Sequence, residues 1–355
     1  MLEKKRVLVV KPSSLGDVVH TLPVVHAIKR CYPTCHIGWI VQRTFTSILE
    51  SDPALDEIIP IFIPSTSDPF APRGAFLAAV RATISTFRSL RNRFQATPYD
   101  IVLDLHASFR SGLLGITNPR ALRIGFADAK ELNTYFHHRL VMPDPAQPHA
   151  VDKNLTFAQY LGCHVAPEDF RVWVSEKARE RARNFLRDSG IREGQRLVYA
   201  NPATRWTTKF WNVVSWAALA DRLIDEGKAA VIFSGGKGDV PYIQRIAEHM
   251  KNECLIAAGK LDLAASTALL ELSQVYVGVD SGPMHIAAFV GTPVIALFGP
   301  TDPAKVGPYG SGHRVIRMEH LSCLSCRKRF CEKRFCMEGI SPDRVFGETV
   351  NHLGW

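Results

Sequence analysis

The chain has 355 residues, of which 46% are hydrophobic, and a formal net charge of +9. This length favours two domains over one, and a mean hydropathy of −0.01 is typical of a soluble globular protein. No uninterrupted apolar run approaches the roughly 18 residues of a spanning helix. The charged N-terminus also lacks the apolar core of a secretory signal. We therefore expect a cytoplasmic protein whose positive charge favours acidic partners, such as nucleotides, phosphorylated lipids, a membrane surface or nucleic acid.

Short apolar segments alternate with helical patterns along the whole chain, which is typical of parallel sheets covered on both faces. We predict an α/β protein with two Rossmann-like domains whose sheets face a central cleft. The predicted domains are 1–170 and 176–340, with a boundary near 163–175 and a C-terminal helix or tail at 341–355. The predicted strands are 6–10, 36–41, 57–61, 100–105, 197–200, 229–234, 254–257, 275–279, 293–298 and 314–318.

The first candidate site follows the first strand, where residues 11–17 (KPSSLGD) precede a predicted helix at 18–30. The turn lacks the G-x-G-x-x-G pattern, which argues against a dinucleotide cofactor. It places the carboxylate of Asp17 at the mouth of the predicted cleft. Asp17 is therefore either a catalytic group or the N-cap of the helix, a position that aspartate favours.

A second loop of the first domain follows the strand at 100–105 and reads HASFRS. His106 and Arg110 would project from the strand end into the same cleft, where they are candidates for binding an acidic acceptor. The alternative is a buried core histidine and a surface arginine. Basic residues also cluster at 81–93, 177–187 and 327–334, either as solvated surfaces or as contacts to an anionic partner.

Two loops of the second domain carry polar groups after strands. Residues 201–211 (NPATRWTTKFW) mix hydroxyls with two cations, which suits a diphosphate with Lys209 as a point charge. Residues 235–239 (GGKGD) allow close backbone approach, and Asp239 is a candidate acceptor for ribose hydroxyls. A surface loop and a plain turn are the respective alternatives.

The strand at 275–279 ends in Asp280, Ser281, Gly282 and Pro283 before a helical run at 284–290. A glycine at the turn and a proline at the first helical position favour a helix N-terminus open to a ligand, and such N-termini bind phosphate. His285 lies one turn into this helix, within reach of the same ligand. The segment therefore predicts a nucleotide site in the second domain.

The eight cysteines fall into two groups. Cys31, Cys35, Cys163 and Cys254 are scattered and are expected to be thiols. Cys323, Cys326, Cys331 and Cys336 form a cluster with x2, x4 and x4 spacing. In a cytoplasmic protein such a cluster is a candidate structural metal site, with free thiols and disulfides as the alternatives.

The opening segment VLVVKPSSLGDVVHTLPVVHAIK, together with VDSGPMHIAA and PVIALFGPTDP, resembles the ADP-heptose:lipopolysaccharide heptosyltransferases. These are inverting glycosyltransferases of family 9 with the GT-B fold, and the resemblance covers nearly the whole chain. The opening and the 201–211 loop are most similar to heptosyltransferase I, which acts on Kdo-lipid A. The cysteine cluster also resembles that of many relatives and is absent from others.

The resemblance implies a role for each matching residue. Asp17 matches the general base, and Lys209 matches a catalytic residue of the donor-phosphate segment, where Arg205 replaces a more usual hydroxyl. The remaining implied donor-binding residues are Thr204, Arg205, Asp239 at the ribose, Leu261 at the adenine, Asp280, Ser281, Gly282 and His285. For the acceptor, Arg110 falls near a basic acceptor-binding residue of the family, and Ser14 and His106 are the other predicted acceptor-binding residues.

The implied reaction is the inverting transfer of L-glycero-D-manno-heptose from ADP-heptose to Kdo-lipid A, at the cytoplasmic face of the inner membrane. No D-x-D motif lies near these elements, so a catalytic metal is not required, although assistance by Mg²⁺ and a structural zinc or iron at the cysteines stay open. The alternative is heptosyltransferase II, or another ADP-heptose-dependent transferase with a heptose or protein acceptor. A more remote alternative is a nucleic-acid-binding protein with a zinc knuckle. The sequence has no recognised RNA-binding module, so we expect no nucleic-acid partner.

Overall fold

The computed structural model describes residues 2–64 and 74–355, apart from the side chains of residues 75 and 76. The chain divides into two compact units, Met1–Arg171 and Val172–Trp355. Each unit contains a six-stranded sheet, and all of the strand pairs are parallel. The predicted α/β fold class, with two Rossmann-like units, is therefore confirmed.

The first unit has the strand order β3-β2-β1-β4-β5-β6. Its strands are β1 (Arg6–Val10), β2 (His36–Gln42), β3 (Glu57–Ile61), β4 (Ile101–Asp104), β5 (Leu122–Phe126) and β6 (Arg139–Val141). Its helices are α1 (Leu15–Val19), α2 (Leu22–Cys31), α3 (Ala75–Ala96), α4 (Phe109–Gly115) and α5 (Ala150–Tyr160).

The second unit has the order β12-β11-β10-β7-β8-β9. Its strands are β7 (Arg196–Asn201), β8 (Ala229–Phe233), β9 (Leu255–Ile256), β10 (Val275–Val279), β11 (Val294–Leu297) and β12 (His313–Ile316). Its helices are α6 (Glu176–Asp188), α7 (Val213–Asp225), α8 (Val240–Ala247), α9 (Leu263–Leu272), α10 (Gly282–Phe289), α11 (Pro303–Val306), α12 (Phe335–Glu338) and α13 (Pro342–Leu353).

The two sheets share one topology, in which the strand order reverses beside the first strand of the unit. In the first unit the reversal lies between β1 and β4, and in the second it lies between β7 and β10. Open parallel sheets bind ligands beyond the carboxyl ends of the strands at such a reversal. The loops that follow these four strands are therefore the places where the fold favours a site.

The strands are buried because helices cover both faces of each sheet. Val7 to Val10 of β1 are fully buried, as are all residues of β10 and β11. The C-terminal helix α13 packs against α7 and adds Val345 and Phe346 to the core of the second unit. Among the described residues, no helix is long and apolar enough to cross a membrane.

All ten predicted strands match the structure to within two residues at each end, but β5 and β6 were not predicted. The predicted single helix at 18–30 is wrong, because α1 ends at Val19 and α2 begins at Leu22. Pro23 explains the break: proline has no N–H to donate and is tolerated in the first turn of a helix, not in its interior. The C-terminal segment forms a helix.

Gly38 of β2 tests the packing of the first unit. A Cβ at this position would lie less than 3.0 Å from three atoms of the buried Tyr99 ring. We expect Gly38→Ala to destabilise the protein by about 1–3 kcal/mol through overpacking. Gly347 in α13 has open space around it, so Gly347→Ala should instead stabilise by up to about 1 kcal/mol. The melting temperatures of the two variants, measured by calorimetry, test both predictions. Equal melting temperatures would contradict the close packing of Tyr99 against Gly38.

Candidate functional site

The loop between β1 and α1 holds Asp17 in a fixed position. Ser14 is the N-cap of α1 and Asp17 is its third residue, so the alternative that made Asp17 the N-cap is wrong. The backbone N–H of Ser14 donates to Asp17 Oδ2 at 2.9 Å, and the Ser14 hydroxyl donates to the same oxygen at 2.8 Å. Neither of these bonds engages Oδ1, and 43% of the Asp17 side chain is exposed. The carboxylate is therefore both oriented and accessible.

Lys11, directly after β1, is the charged partner of Asp17. Its ammonium lies 3.8 Å from Asp17 Oδ1 and donates to the carbonyl oxygen of Leu105 at 2.6 Å. Burial alone raises the pKa of Asp17, but the Lys11 charge and the Ser14 hydrogen bonds outweigh it, so the pKa lies below its usual value. Asp17 is therefore ionised at neutral pH.

The loop after β4 lies beside the Asp17 loop because β4 pairs with β1. Burial and, next, the Lys11 charge lower the pKa of His106, so its imidazole is neutral at neutral pH. The Asp17 carboxylate raises the pKa of His106 and the His106 imidazole lowers that of Asp17, each as a lesser contribution. A shared role of the two residues stays a prediction. Arg110 is exposed in the first turn of α4.

Asp104, at the end of β4, shapes the His106 loop. Its Oδ1 accepts from the backbone N–H groups of His106 at 3.0 Å and Ala107 at 3.1 Å. Its Oδ2 accepts from Ser111 and Asn133, each at 2.8 Å. These bonds hold Ala107 at a φ of 59°, a left-handed conformation that costs a non-glycine residue roughly 1–2 kcal/mol. The carboxylate is thus a structural clamp for the loop that carries His106.

In the second unit, Asn201 ends β7 and bonds to a residue that follows each of the two neighbouring strands, β10 and β8. Its Oδ1 accepts from the Ser281 hydroxyl at 2.8 Å, and its Nδ2 donates to the carbonyl oxygen of Ser234 at 3.0 Å. Ser281 is the N-cap of α10, yet its hydroxyl makes no cap bond to the helix. The side chain that would usually satisfy the first turn of α10 is therefore turned away from it.

Lys209 and Asp280 form a mostly buried ion pair across the same reversal. The ammonium lies 2.7 Å from Asp280 Oδ2, and the exposed fractions of the two side chains are 13% and 7%. The ammonium also lies 4.6 Å from the centre of the Trp206 ring, a cation–π distance. Lys209 is thus held in place by a carboxylate and an aromatic face, two partners that the sequence did not indicate.

The other predicted donor residues lie around this edge of the second sheet. Thr204 donates to the carbonyl oxygen of Asp280 at 3.2 Å, and Arg205 is exposed. Asp239 accepts from the backbone N–H of Gly236 at 2.7 Å within its own turn. Leu261 is half-buried and His285 is buried in α10. Their roles toward a nucleotide stay predictions.

The four clustered cysteines lie between β12 and α13. Cys323, Cys326 and Cys331 are exposed and Cys336 is half-buried, all as free thiols. Burial, followed by the neighbouring thiols, raises the pKa of Cys336. Within residues 2–64 and 74–355, no group of three or more His, Cys, Asp or Glu side chains is placed to hold a metal ion. The predicted structural metal site has no support from these positions and stays a prediction.

Comparison with known proteins places this fold and its loops in a family. The sequence pattern of glycosyltransferase family 9 (heptosyltransferase) matches residues 87–335, more than half of the chain. The chain belongs to this family. It is therefore a glycosyltransferase, as its resemblance to the family predicted.

Individual relatives agree with this assignment over nearly the full length of the family 9 chain. Lipopolysaccharide heptosyltransferase 1 of Pseudomonas aeruginosa is 28% identical, covering 96% of each chain. Lipooligosaccharide heptosyltransferase 2 of Haemophilus ducreyi is 27% identical, covering 98% of this chain and 99% of the relative. The E. coli heptosyltransferase WaaC, solved with ADP, has a TM-score of 0.73 at 24% identity, covering 98% of this chain and 99% of the other. That structural likeness concerns the fold.

Sequence reasoning missed Lys11, Asp104 and Asn201 in this family 9 transferase. Each is a polar residue in or directly after the last position of an apolar strand, and each is more than 90% buried. A buried polar group at the carboxyl end of a parallel strand requires a partner, and that requirement was the available signal. The sequence did not reveal which partner each residue would have.

The Lys11–Asp17 pair predicts an altered pH profile. In Lys11→Met the ammonium that lowers the Asp17 pKa is removed while the burial that raises it remains. We expect the acid limb of kcat/KM to move to higher pH, with the largest loss of activity at low pH and recovery as pH rises. The control is Lys29→Met. Lys29 lies outside this loop, and its ammonium pairs with Asp56 at 2.8 Å. Identical acid limbs in Lys11→Met and the wild type would contradict the pairing.

Proposed function

We propose that this family 9 enzyme transfers L-glycero-D-manno-heptose from ADP-heptose, with inversion, to Kdo-lipid A in the inner core of lipopolysaccharide. The observation that carries the proposal is the oriented, ionised and partly exposed carboxylate of Asp17 at the strand reversal of the first sheet. A group of this kind is suited to act as a general base. The names of the relatives support heptose as the sugar and a lipopolysaccharide or lipooligosaccharide as the product.

In the proposed reaction the acceptor hydroxyl oxygen attacks the anomeric carbon of ADP-heptose. The hydroxyl proton passes to Asp17, the bond from the anomeric carbon to the diphosphate oxygen breaks, and ADP leaves with the electron pair. Asp17 Oδ1 is the oxygen that Ser14 does not engage, so it is the proposed proton acceptor. His106, neutral and close to Asp17, and Arg110 are proposed to hold the acceptor.

The donor is proposed to bind at the strand reversal of the second sheet. The N-terminus of α10 carries roughly half a positive charge, which favours a diphosphate. Lys209 adds a positively charged ammonium, whose position is fixed by its contacts with Asp280 and Trp206. Because charge grows on the diphosphate as the bond breaks, these groups should contribute more in the transition state than in the ground state. The choice of an ADP-linked donor has further support from WaaC, which was solved with ADP.

The acceptor is the finer part of the proposal, since relatives named heptosyltransferase 1 and 2 match almost equally well. The opening segment and the 201–211 loop favour Kdo-lipid A. Purified full-length protein should therefore release ADP from ADP-heptose with Kdo-lipid A and form a product heavier by one heptose. The anomeric configuration of that product, determined by NMR, tests inversion.

Different outcomes of this assay separate the alternatives. Transfer only to an acceptor that already carries heptose would replace the proposed function with that of heptosyltransferase II. Transfer to a serine-containing protein would point to a protein acceptor. Failure to release ADP from ADP-heptose with any of the three acceptors would overturn the choice of donor. We also propose a peripheral location at the cytoplasmic face of the inner membrane, where such an acceptor is anchored.

A further inference from the structure

The segment at 327–335 is unusual in its combination of charge and exposed aromatic surface. It reads RKRFCEKRF, with five cations and one carboxylate in nine residues. Phe330 is 86% exposed and Phe335 is 59% exposed. A single exposed apolar side chain needs no explanation, but two phenylalanines among five cations form a surface that is both apolar and strongly basic.

Hydrogen bonds fix the backbone of this segment, and of the residues just before it, to loops of the second sheet. The N–H of Ser325 donates to the carbonyl oxygen of Gly299 at 3.1 Å, and the N–H of Arg327 donates to that of Pro300 at 2.8 Å. Thr208, in the loop after β7, donates its hydroxyl to the carbonyl oxygen of Lys328 at 2.9 Å. The phenylalanines are therefore displayed by an anchored loop rather than by a free end.

These anchors place the segment at the carboxyl edge of the second sheet. Gly299 and Pro300 follow β11, and Thr208 follows β7. The guanidinium carbon of Arg329 lies 5.0 Å from the centre of the Trp206 ring, and the Lys209 ammonium lies over the same ring. The surface thus belongs to the same edge as the proposed donor site.

Most of the positive charge in the segment is available to an outside partner. Among the described residues, the side chains of Arg327, Lys328 and Lys333 make no ion pair, whereas Arg334 pairs with Glu338 at 2.9 Å. A cationic surface with large apolar side chains suits an interface in which the cations meet anionic head groups and the rings enter the boundary of the acyl chains. Nucleic acid would satisfy the cations too, but one short loop offers no groove to follow a strand.

We infer that residues 327–335 dock the protein on an anionic lipid bilayer. This inference rests on the proposed function, because a lipid-anchored acceptor must be reached at a bilayer surface. Docking through this segment brings the carboxyl edge of the second sheet, and with it the donor site, close to the membrane. The recognised chemistry is anionic phospholipid head groups together with an apolar acyl boundary.

The test is co-sedimentation of the full-length protein, in the presence of reductant, with vesicles of 7:3 phosphatidylcholine and phosphatidylglycerol. The test variant is Phe330→Ser/Lys333→Gln, because both side chains are exposed. One cation near an anionic surface is worth about 1 kcal/mol, or about five-fold, and a buried phenylalanine adds more. We therefore expect wild-type binding that weakens with salt and a partition coefficient at least about 20-fold lower in the variant.

The matched control is Tyr160→Ser/Arg192→Gln, which also removes one exposed aromatic residue and one exposed cation. Tyr160 ends α5 and Arg192 precedes β7, so both lie away from the carboxyl edges of their sheets. The control should bind vesicles within about two-fold of the wild type. Equal vesicle binding by the test variant and the control would overturn the inference. Failure of the wild-type protein to co-sediment with the anionic vesicles at low salt would also overturn it. Binding of single-stranded DNA is measured for the same proteins. If the test variant loses DNA binding but keeps vesicle binding, the inference is also overturned.

A second readout separates this inference from the proposed function. With a delipidated, water-soluble Kdo acceptor, the test variant should release ADP at the wild-type rate, while transfer to acceptor embedded in vesicles falls. If no heptose transfer is found in any protein but vesicle binding still depends on Phe330 and Lys333, the proposed function fails and the docking surface stands. If the test variant transfers heptose normally to both the water-soluble and the vesicle-embedded acceptor, the docking inference is wrong and the proposed function stands.

Discussion

Asp17→Asn should lower kcat for heptose transfer by about 10²–10⁴-fold, the usual contribution of a general base. Asparagine has the same shape, and its side-chain oxygen accepts the two Ser14 hydrogen bonds that now reach Oδ2. The loop should therefore keep its conformation while losing the group that takes the proton. Affinity for ADP should not change, since Asp17 lies in the first unit and the proposed ADP site in the second.

The stability of this variant also has a defined pH dependence. The pKa of Asp17 is lowered in the folded protein, so its ionisation contributes stability above the unfolded-state pKa, which is lost as pH falls through the folded-state value. The asparagine variant lacks this contribution at neutral pH and should approach the wild type in stability in acid. Because the side chain is 43% exposed, the difference in melting temperature should be small. A folded variant that transfers heptose at nearly the wild-type rate would exclude Asp17 as the base.

The βα turns that carry the candidate site could be predicted because each follows a short strand with an apolar centre. Residues 7–10 and 275–279 are buried on both faces of a parallel sheet, so they appear in the sequence as short apolar runs with clear ends. Asp17 and Ser281 lie a few residues beyond such ends, which is why they were found. The strand β6 has only three residues, two of them exposed, and therefore has no comparable pattern.

Contacts between the turns could not be predicted, because they depend on strand order. Lys209 and Asp280 are 71 positions apart and meet because β7 and β10 are neighbours at the reversal. Lys11 reaches the carbonyl oxygen of Leu105 for the same reason, through β1 and β4. The sequence identifies which loops end at the carboxyl edge, and the order of the strands decides which of them share a site.

The ion pair between Lys209 and Asp280 makes a simple alanine substitution ambiguous. Both side chains are largely buried, and removal of one partner from such a pair typically costs about 3–5 kcal/mol of stability. A loss of activity in Lys209→Met alone would therefore combine a missing phosphate contact with a destabilised loop. Three variants separate the two effects: Lys209→Met, Asp280→Asn and the double variant.

If Lys209 stabilises the leaving diphosphate, Lys209→Met should lower kcat by about 10²–10³-fold, the usual effect of removing one preorganised donor to a developing negative charge. The double variant should regain thermal stability, because no buried charge is left unpaired, but it should regain neither kcat nor ADP affinity. Asp280→Asn keeps the ammonium and removes its competing carboxylate, so ADP should bind at least as tightly as in the wild type. ADP lacks the heptose of the donor. Its affinity, measured by calorimetry, therefore reports the diphosphate contact even if Asp280 also contacts heptose. Recovery of ADP affinity in the double variant would reduce Lys209 to a structural partner of Asp280 and leave the N-terminus of α10 as the proposed diphosphate site.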